Sequence, residues 1–162
     1  MKSSTIRHQT TSDIQAILDI QAACYPADFI ESAETLLCKQ ALAPNTSWLI
    51  ETQGEVMGYL FCHPWRHDTP PQLGKKLTQL PAQPDRFYIH DLAILPAGRG
   101  KQLAEQLIEH AISWAKQAQL DRVMLVAVQG AESFWQKHHF AAKAFPRVEG
   151  YGDDAVCMHR VL

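Results

Sequence analysis

The sequence has no cysteines at metal-ligand or redox spacing. Cys24, Cys38, Cys62 and Cys157 stand far apart and no CxxC pair occurs. That distribution argues against a disulfide framework and for reduced, mostly buried thiols. No apolar run approaches the ~20 residues of a membrane span, so no membrane partner is expected. No charge of one sign dominates: the formal net charge is -2, which gives no footing to nucleic acid or another large polyanion. The opening residues Met1-Lys2-Ser3-Ser4-Thr5 lack the apolar core of a secretion signal. Together these absences make a cytoplasmic protein the expectation. Internal repeats and low-complexity tracts are also missing, so residues 1–162 are expected to form a single domain. With 46% hydrophobic and 20% charged residues, the chain has the composition of a globular protein with a real core.

What is present is organised around residues 87–118. An apolar strand is expected over Phe87-Tyr88-Ile89-His90-Asp91-Leu92-Ala93-Ile94-Leu95. The turn Pro96-Ala97-Gly98-Arg99-Gly100-Lys101 follows, and then a long amphipathic helix with Leu103, Leu107, Ala111, Trp114 and Ala118 on its inner stripe. A strand, a glycine-bearing turn and a helix start together suit an anion. The first N–H groups of a helix lack intrahelical partners, and the helix dipole is positive there. Arg99 and Lys101 add charge to the same turn. An ordinary basic strand–helix loop would read the same way from the glycines alone.

Arg99-Gly100-Lys101-Gln102-Leu103-Ala104, after Leu92-Ala93-Ile94-Leu95-Pro96, resembles the acetyl-CoA motif of the GNAT N-acetyltransferase superfamily. Arg99 fits the first motif position and Ala104 the last, whereas Gln102 stands where the family usually has glycine. The resemblance runs from about Thr5 to the C-terminus. It implies an α/β (α+β) fold with a mixed, mostly antiparallel sheet, splayed at strands four and five and flanked by helices. It also implies acetyl-CoA as cosubstrate, no metal, and a primary amine of a small molecule as acceptor. A protein N-terminus or lysine as acceptor, or a non-catalytic acyl-CoA-binding module, are the alternatives. Homodimers are common in the family, and the oligomeric state stays open.

By that resemblance Leu92, Ala93 and Ile94 pair with pantetheine, and Arg99, Gly100, Lys101, Gln102, Leu103 and Ala104 hold the pyrophosphate. Direct attack on a thioester needs an anchored donor, a polarised carbonyl, a base for the ammonium and a proton for the leaving thiolate. Tyr88-Ile89-His90-Asp91-Leu92-Ala93-Ile94 is similar to the His-x-His-x-Leu-Ala-Val strand of arylalkylamine N-acetyltransferases, with His90 at the second histidine and Tyr88 at the first. His90 is the preferred base, since an imidazole titrates near neutrality. Asp91 competes, and Tyr88 is a candidate to hold a water. Strict alternation puts Tyr88, His90 and Leu92 on one face and Ile89, Asp91 and Ala93 on the other. A bulge would relax that rule. In the run Phe134-Trp135-Gln136-Lys137-His138-His139-Phe140, Trp135 takes the position where the family often has a proton-donating tyrosine. An indole N–H cannot deliver a proton at neutral pH, so Trp135 is expected to line the CoA cleft or to pack in the core. Tyr151 and His138 are the remaining acid candidates.

Elsewhere, a strand is expected over residues 5–9, and Ser12-Asp13-Ile14-Gln15 resembles a capping box ahead of a helix that ends before Pro26. Ser32 is the expected cap of a second helix through Ala43, with Leu36, Leu37 and Ala41 inward. Strands over 47–52 and 55–63 flank the hairpin signal Gln53-Gly54. By the family resemblance, Tyr25, Pro26 and Phe29 are acceptor-side candidates. Residues 64–84, with five prolines, are expected to form a loop near the acceptor site. His63 and His67, flanked by Cys62 and Asp68, are read as solvated loop histidines rather than metal ligands. A buried strand over 120–129, a short helix over 131–139 and a last strand over 154–161 complete the chain. Glu149, Asp153 and Asp154 are the nearest approach to a carboxylate cluster.

Overall fold

A computed structural model describes residues 3–71, 77–143, 151 and 154–162. Seven strands form one sheet in the order β1-β2-β3-β4-β5-β7-β6. They are β1 (Ser4–His8), β2 (Ser47–Thr52), β3 (Glu55–Trp65), β4 (Arg86–Ile94), β5 (Arg122–Ala127), β6 (Ala141–Ala142) and β7 (Val156–Val161). All neighbours pair antiparallel except β4 and β5, which run parallel. The helices are α1 (Ile14–Cys24), α2 (Ala33–Leu42), α3 (Leu103–Gln117) and α4 (Glu132–Gln136). This is the mixed, mostly antiparallel α/β architecture that the sequence implied.

The two faces of the sheet bury different sets. On one, Leu107, Ile108, Ala111 and Ile112 of α3 pack on Trp48, Ile50, Leu60, Phe87, Ile89 and Leu125. On the other, Ile17 and Ile20 of α1 and Leu36 of α2 pack on Leu49, Tyr59, Phe61 and Ala93. Each alternate strand residue thus meets a helix, which is why β2 to β5 read as nearly continuous apolar runs. At Gly58, an added Cβ would lie 2.8 Å from the Ala93 carbonyl oxygen and run into the Ile94 side chain, so glycine lets β3 and β4 close here.

Several local expectations shift. The first strand lies one residue earlier, at Ser4–His8. The capping interaction sits two residues earlier too. The Asp13 carboxylate accepts the Thr10 N–H at 2.7 Å and is clamped by Arg7 at 2.8 Å, so a short turn at Thr11–Asp13 leads into α1. Ser32 does cap α2, accepting the Thr35 N–H at 3.2 Å. Ala41 and Ala118 are exposed: Ala41 lies in the last turn of α2 and Ala118 just past the end of α3. Gln53 and Gly54 both take positive φ, 54° and 79°, as a two-residue hairpin turn requires. β3 runs on to Trp65, which makes His63 a buried strand residue and not a solvated loop histidine. Its ring lies against Tyr88 and Trp65, and burial pushes it down to about 4. Asp68 is paired with Arg86 at 2.6 Å. The two-residue strand β6 had no signal in the sequence.

Candidate active site

The site begins where β4 and β5 part. Their pairing runs from Arg86–Arg122 to Ile89–Leu125, and then ends, although β4 continues to Ile94 and β5 to Ala127. Two cavities occupy the gap. One, of about 500 Å³, lies over the turn into α3 and is lined by Leu92, Ala93, Ile94, Arg99, Gly100, Gln102, Leu103 and Ala104. Cys24, Tyr25 and Phe134 complete its wall. The other, of about 250 Å³, is lined by Glu31, His90, Asp91, Tyr25, Phe29, Phe134, Trp135 and Tyr151, with apolar positions of β4 and β5. Tyr25, Leu92 and Phe134 belong to both walls, so the cavities meet there.

The larger cavity contains every cofactor candidate except Lys101, which is exposed beside it, and Trp135, which faces the smaller one. Leu103, Ala104 and Glu105 open α3, and their N–H groups have no intrahelical acceptor. The backbone reaches that start through two left-handed residues, Gly100 at φ 77° and Gln102 at φ 60°. This is the geometric reason the motif favours glycine at the Gln102 position. A residue with a Cβ in that conformation is strained by about 1–2 kcal/mol. Gln102→Gly is therefore expected to raise stability by up to about 1 kcal/mol, read as a rise of about 2–4 °C in Tm by calorimetry. The N–H array, the left-handed turn and Arg99 suit an anion, and past Ile89 the β5-facing edge of β4 has no strand partner among the described residues.

The smaller cavity owes its chemistry to a bulge. Phe61 pairs with Asp91 and Cys62 pairs with Ile89, so His90 is an extra residue in β4. Alternation resets across it. Phe87, Ile89, Leu92 and Ile94 face α3, while His90 and Asp91 both reach groups on the α1–α2 side. The strict alternation expected from the sequence would have separated them.

His90 Nε2 lies 2.6 Å from Glu31 Oε1, and Glu31 Oε2 accepts from Lys39 Nζ at 2.7 Å. All three side chains are at most 5% exposed. Burial would push the Glu31 carboxyl up, but His90 and Lys39 beside it hold it down at about 2. An ionised Glu31 takes the Nε2–H of His90, which leaves the Nδ1 lone pair unused. Nδ1 has no hydrogen-bond partner among the described residues. Asp91 is held differently. Its Oδ1 accepts from the Tyr25 hydroxyl at 2.7 Å and its Oδ2 from the Tyr59 hydroxyl at 2.7 Å. Burial raises the Asp91 carboxyl above its ordinary range, against His90 and the two hydroxyls, which pull it down.

Tyr88 is fully buried and takes no part in the cavity wall. Its hydroxyl lies 3.0 Å from that of Tyr151, which donates to the Pro71 carbonyl at 2.6 Å. Tyr151 thereby ties the proline-bearing loop to the cavity edge. Of the acceptor-side candidates, Tyr25 and Phe29 line the cavity and Pro26 does not. His138 packs on Phe134 and Trp135 without reaching the wall. Glu149 and Asp153 lie outside the described residues, and Asp154 is exposed. Nothing in the sequence pointed to Glu31, Lys39 or Tyr59 as part of the site.

The family profile described as Acetyltransferase (GNAT) family matches residues 14–140. No curated protein matches the chain. Among solved structures, the loading GNATL domain of CurA from Lyngbya majuscula superposes with a TM-score of 0.85 at 12% identity, over 98% of each chain. The ribosomal-protein-S18-alanine N-acetyltransferase from Escherichia coli gives 0.72 at 15% identity, over 98% of this chain and 94% of that one. The GNAT-like decarboxylase GphF in complex with isobutyryl-CoA gives 0.74 at 18% identity, over 97% of this chain and 98% of that one. At such identities the likeness speaks for the fold alone.

Proposed function

The chain belongs to the GNAT acetyltransferase family, and from that premise we propose that it moves the acetyl group of acetyl-CoA to the primary amine of a small molecule. One observation carries the reading. A cavity suited to an acyl-CoA meets, at the parting of β4 and β5, a second cavity with buried acids at one end and aromatic rings around it. Acetyl-CoA supplies an acetyl group already activated as a thioester. The N–H groups of Leu103 and Ala104, with Gly100, Gln102, Arg99 and Lys101, take the phosphates. The backbone of Leu92, Ala93 and Ile94 takes the pantetheine arm. Trp135 lines the acceptor's cavity.

In the smaller cavity the Asp91 carboxylate attracts the acceptor's ammonium, and Tyr25, Phe29, Phe134 and Tyr151 surround its apolar body. An alkylammonium has a pKa near that of lysine, about 10.4, so it must lose a proton before attack. His90 takes that proton on Nδ1, with Glu31 fixing the ring through Nε2. Tyr88 acts through Tyr151 as part of the frame. Rings around a carboxylate favour a small aromatic amine over a polyamine, which would need several separated acids.

Thiol release from acetyl-CoA against 2-phenylethylamine, spermidine, amino acids, an aminoglycoside and an alanine-ended peptide tests this reading. The expected result is turnover with the aromatic amine at least tenfold above the others in kcat/KM, roughly the discrimination an apolar pocket supplies. Preference for the peptide would move the assignment to protein acetylation. Binding of acetyl-CoA without turnover on any amine would leave a binding module.

A further inference from the structure

The acetyl transfer proposed above frees two protons from nitrogen and needs one at sulfur. His90 receives the first. No donor to the sulfur is evident at the usual place, where Trp135 stands. The structure offers one from the opposite wall. Tyr25, just past the C-terminal end of α1, lines both cavities. Its hydroxyl is shared between Asp91 Oδ1 at 2.7 Å and the Leu92 carbonyl at 3.0 Å. We propose that Tyr25 is the catalytic acid of this reaction, giving its proton to the departing sulfur while Asp91 replaces it.

The step balances. After the amine has attacked, the new C–N bond leaves one surplus proton on nitrogen. The Asp91 carboxylate takes that proton. As the C–S bond breaks, its electron pair goes to sulfur, the Tyr25 hydroxyl protonates sulfur, and Asp91 returns a proton to the phenolic oxygen. The net movement is from nitrogen to sulfur, and both side chains end as they began. A phenol alone would be a poor donor to a thiolate, because its ordinary pKa of about 10 exceeds the thiol's ~8.5. A carboxylic acid behind it makes the transfer downhill. The groups around Asp91 suit that use: Tyr25 and Cys24 from the end of α1, Tyr59 from β3, Glu31 from the segment before α2, and His90 from β4 itself. Burial and the Asp91 charge keep the Tyr25 phenol protonated across the neutral range. Tyr59 is a positioning residue, since its hydroxyl pins the far oxygen of Asp91 and leaves Oδ1 for Tyr25.

Tyr25→Phe removes the proton and keeps the ring. The expected result is a fall in kcat of about 10²-fold, the lower end for a positioned acid, with KM for acetyl-CoA within about threefold, the margin expected when only a transition-state interaction is lost. A binding measurement reads the same contact without turnover. Wild-type protein should bind CoA several-fold more tightly than desulfo-CoA by calorimetry, and Tyr25→Phe should bring the two affinities together, because the hydroxyl–sulfur hydrogen bond is gone. A kcat within threefold of wild type, or an unchanged preference for CoA over desulfo-CoA, would overturn the assignment. Should wild-type protein bind CoA but turn over no amine, the acetyl-transfer reading fails and the assignment fails with it.

Discussion

His90→Ala is expected to lower kcat/KM for the acceptor amine by about 10²–10⁴-fold at neutral pH, the usual worth of a positioned general base. The loss should shrink as pH rises toward ~10, where the amine reaches the site already deprotonated. The geometry behind this is the buried line Lys39–Glu31–His90, with links of 2.7 and 2.6 Å. Glu31 fixes which ring nitrogen carries the proton, much as the acid of a hydrolase triad orients its histidine. A steady-state pH profile of wild type and variant checks it. A loss that stays constant to high pH would assign His90 to shaping the cavity and pass the base role to Asp91.

Lys39→Met is expected to cost about 3–5 kcal/mol of stability. Removing one partner of a buried ion pair takes away the counter-charge of the other, and Glu31, which keeps its bond to His90, is only 3% exposed. For a chain of this length that is a fall of about 6–20 °C in Tm. The double variant Lys39→Met, Glu31→Gln should recover much of the loss, because no bare charge remains. The same pair sets an acid limit. Glu31 is lowered from 4.5 to about 2 in the folded chain. Its contribution is therefore complete above pH 4.5 and is lost as the pH falls toward about 2. Acid unfolding followed by circular dichroism should show a flatter profile for Glu31→Gln across that window than for wild type. A Lys39→Met variant as stable as wild type would mean that water reaches Glu31.

The two halves of the site differ in how far the sequence reveals them. The turn into α3 is contiguous. Its glycine, its arginine and its position between an apolar strand and an amphipathic helix are all visible in one dozen residues, and even the anomaly at Gln102 marks the place where the backbone turns left-handed. The smaller cavity is assembled from the end of α1, the segment before α2, β4, β5 and α4, with Tyr59 of β3 bonded to Asp91. Glu31 and His90 are 59 residues apart, and Tyr25 and Asp91 are 66 apart. Neither separation leaves a trace in periodicity. Lys39 and Glu31 resemble solvated helix-edge charges until the pair is seen to be buried. The bulge at His90 carries no glycine or proline to announce it, yet it decides that His90 and Asp91 share a cavity. The long helix α3 was legible because one period dominates it, and the central strands because burial on both faces leaves continuous apolar runs. The short β6 and the real start of the α1 cap depend on tertiary partners, Met158 and His159 in one case and Arg7 in the other.

A crystal structure of the complex with CoA tests the account at its centre. The predicted result places the pyrophosphate over the N–H groups that open α3, the pantetheine arm along Leu92–Ala93–Ile94, and the sulfur at the junction within hydrogen-bond reach of the Tyr25 hydroxyl. Density for CoA away from the parting of β4 and β5, or a sulfur directed away from Tyr25 and the His90–Asp91 cavity, would contradict it.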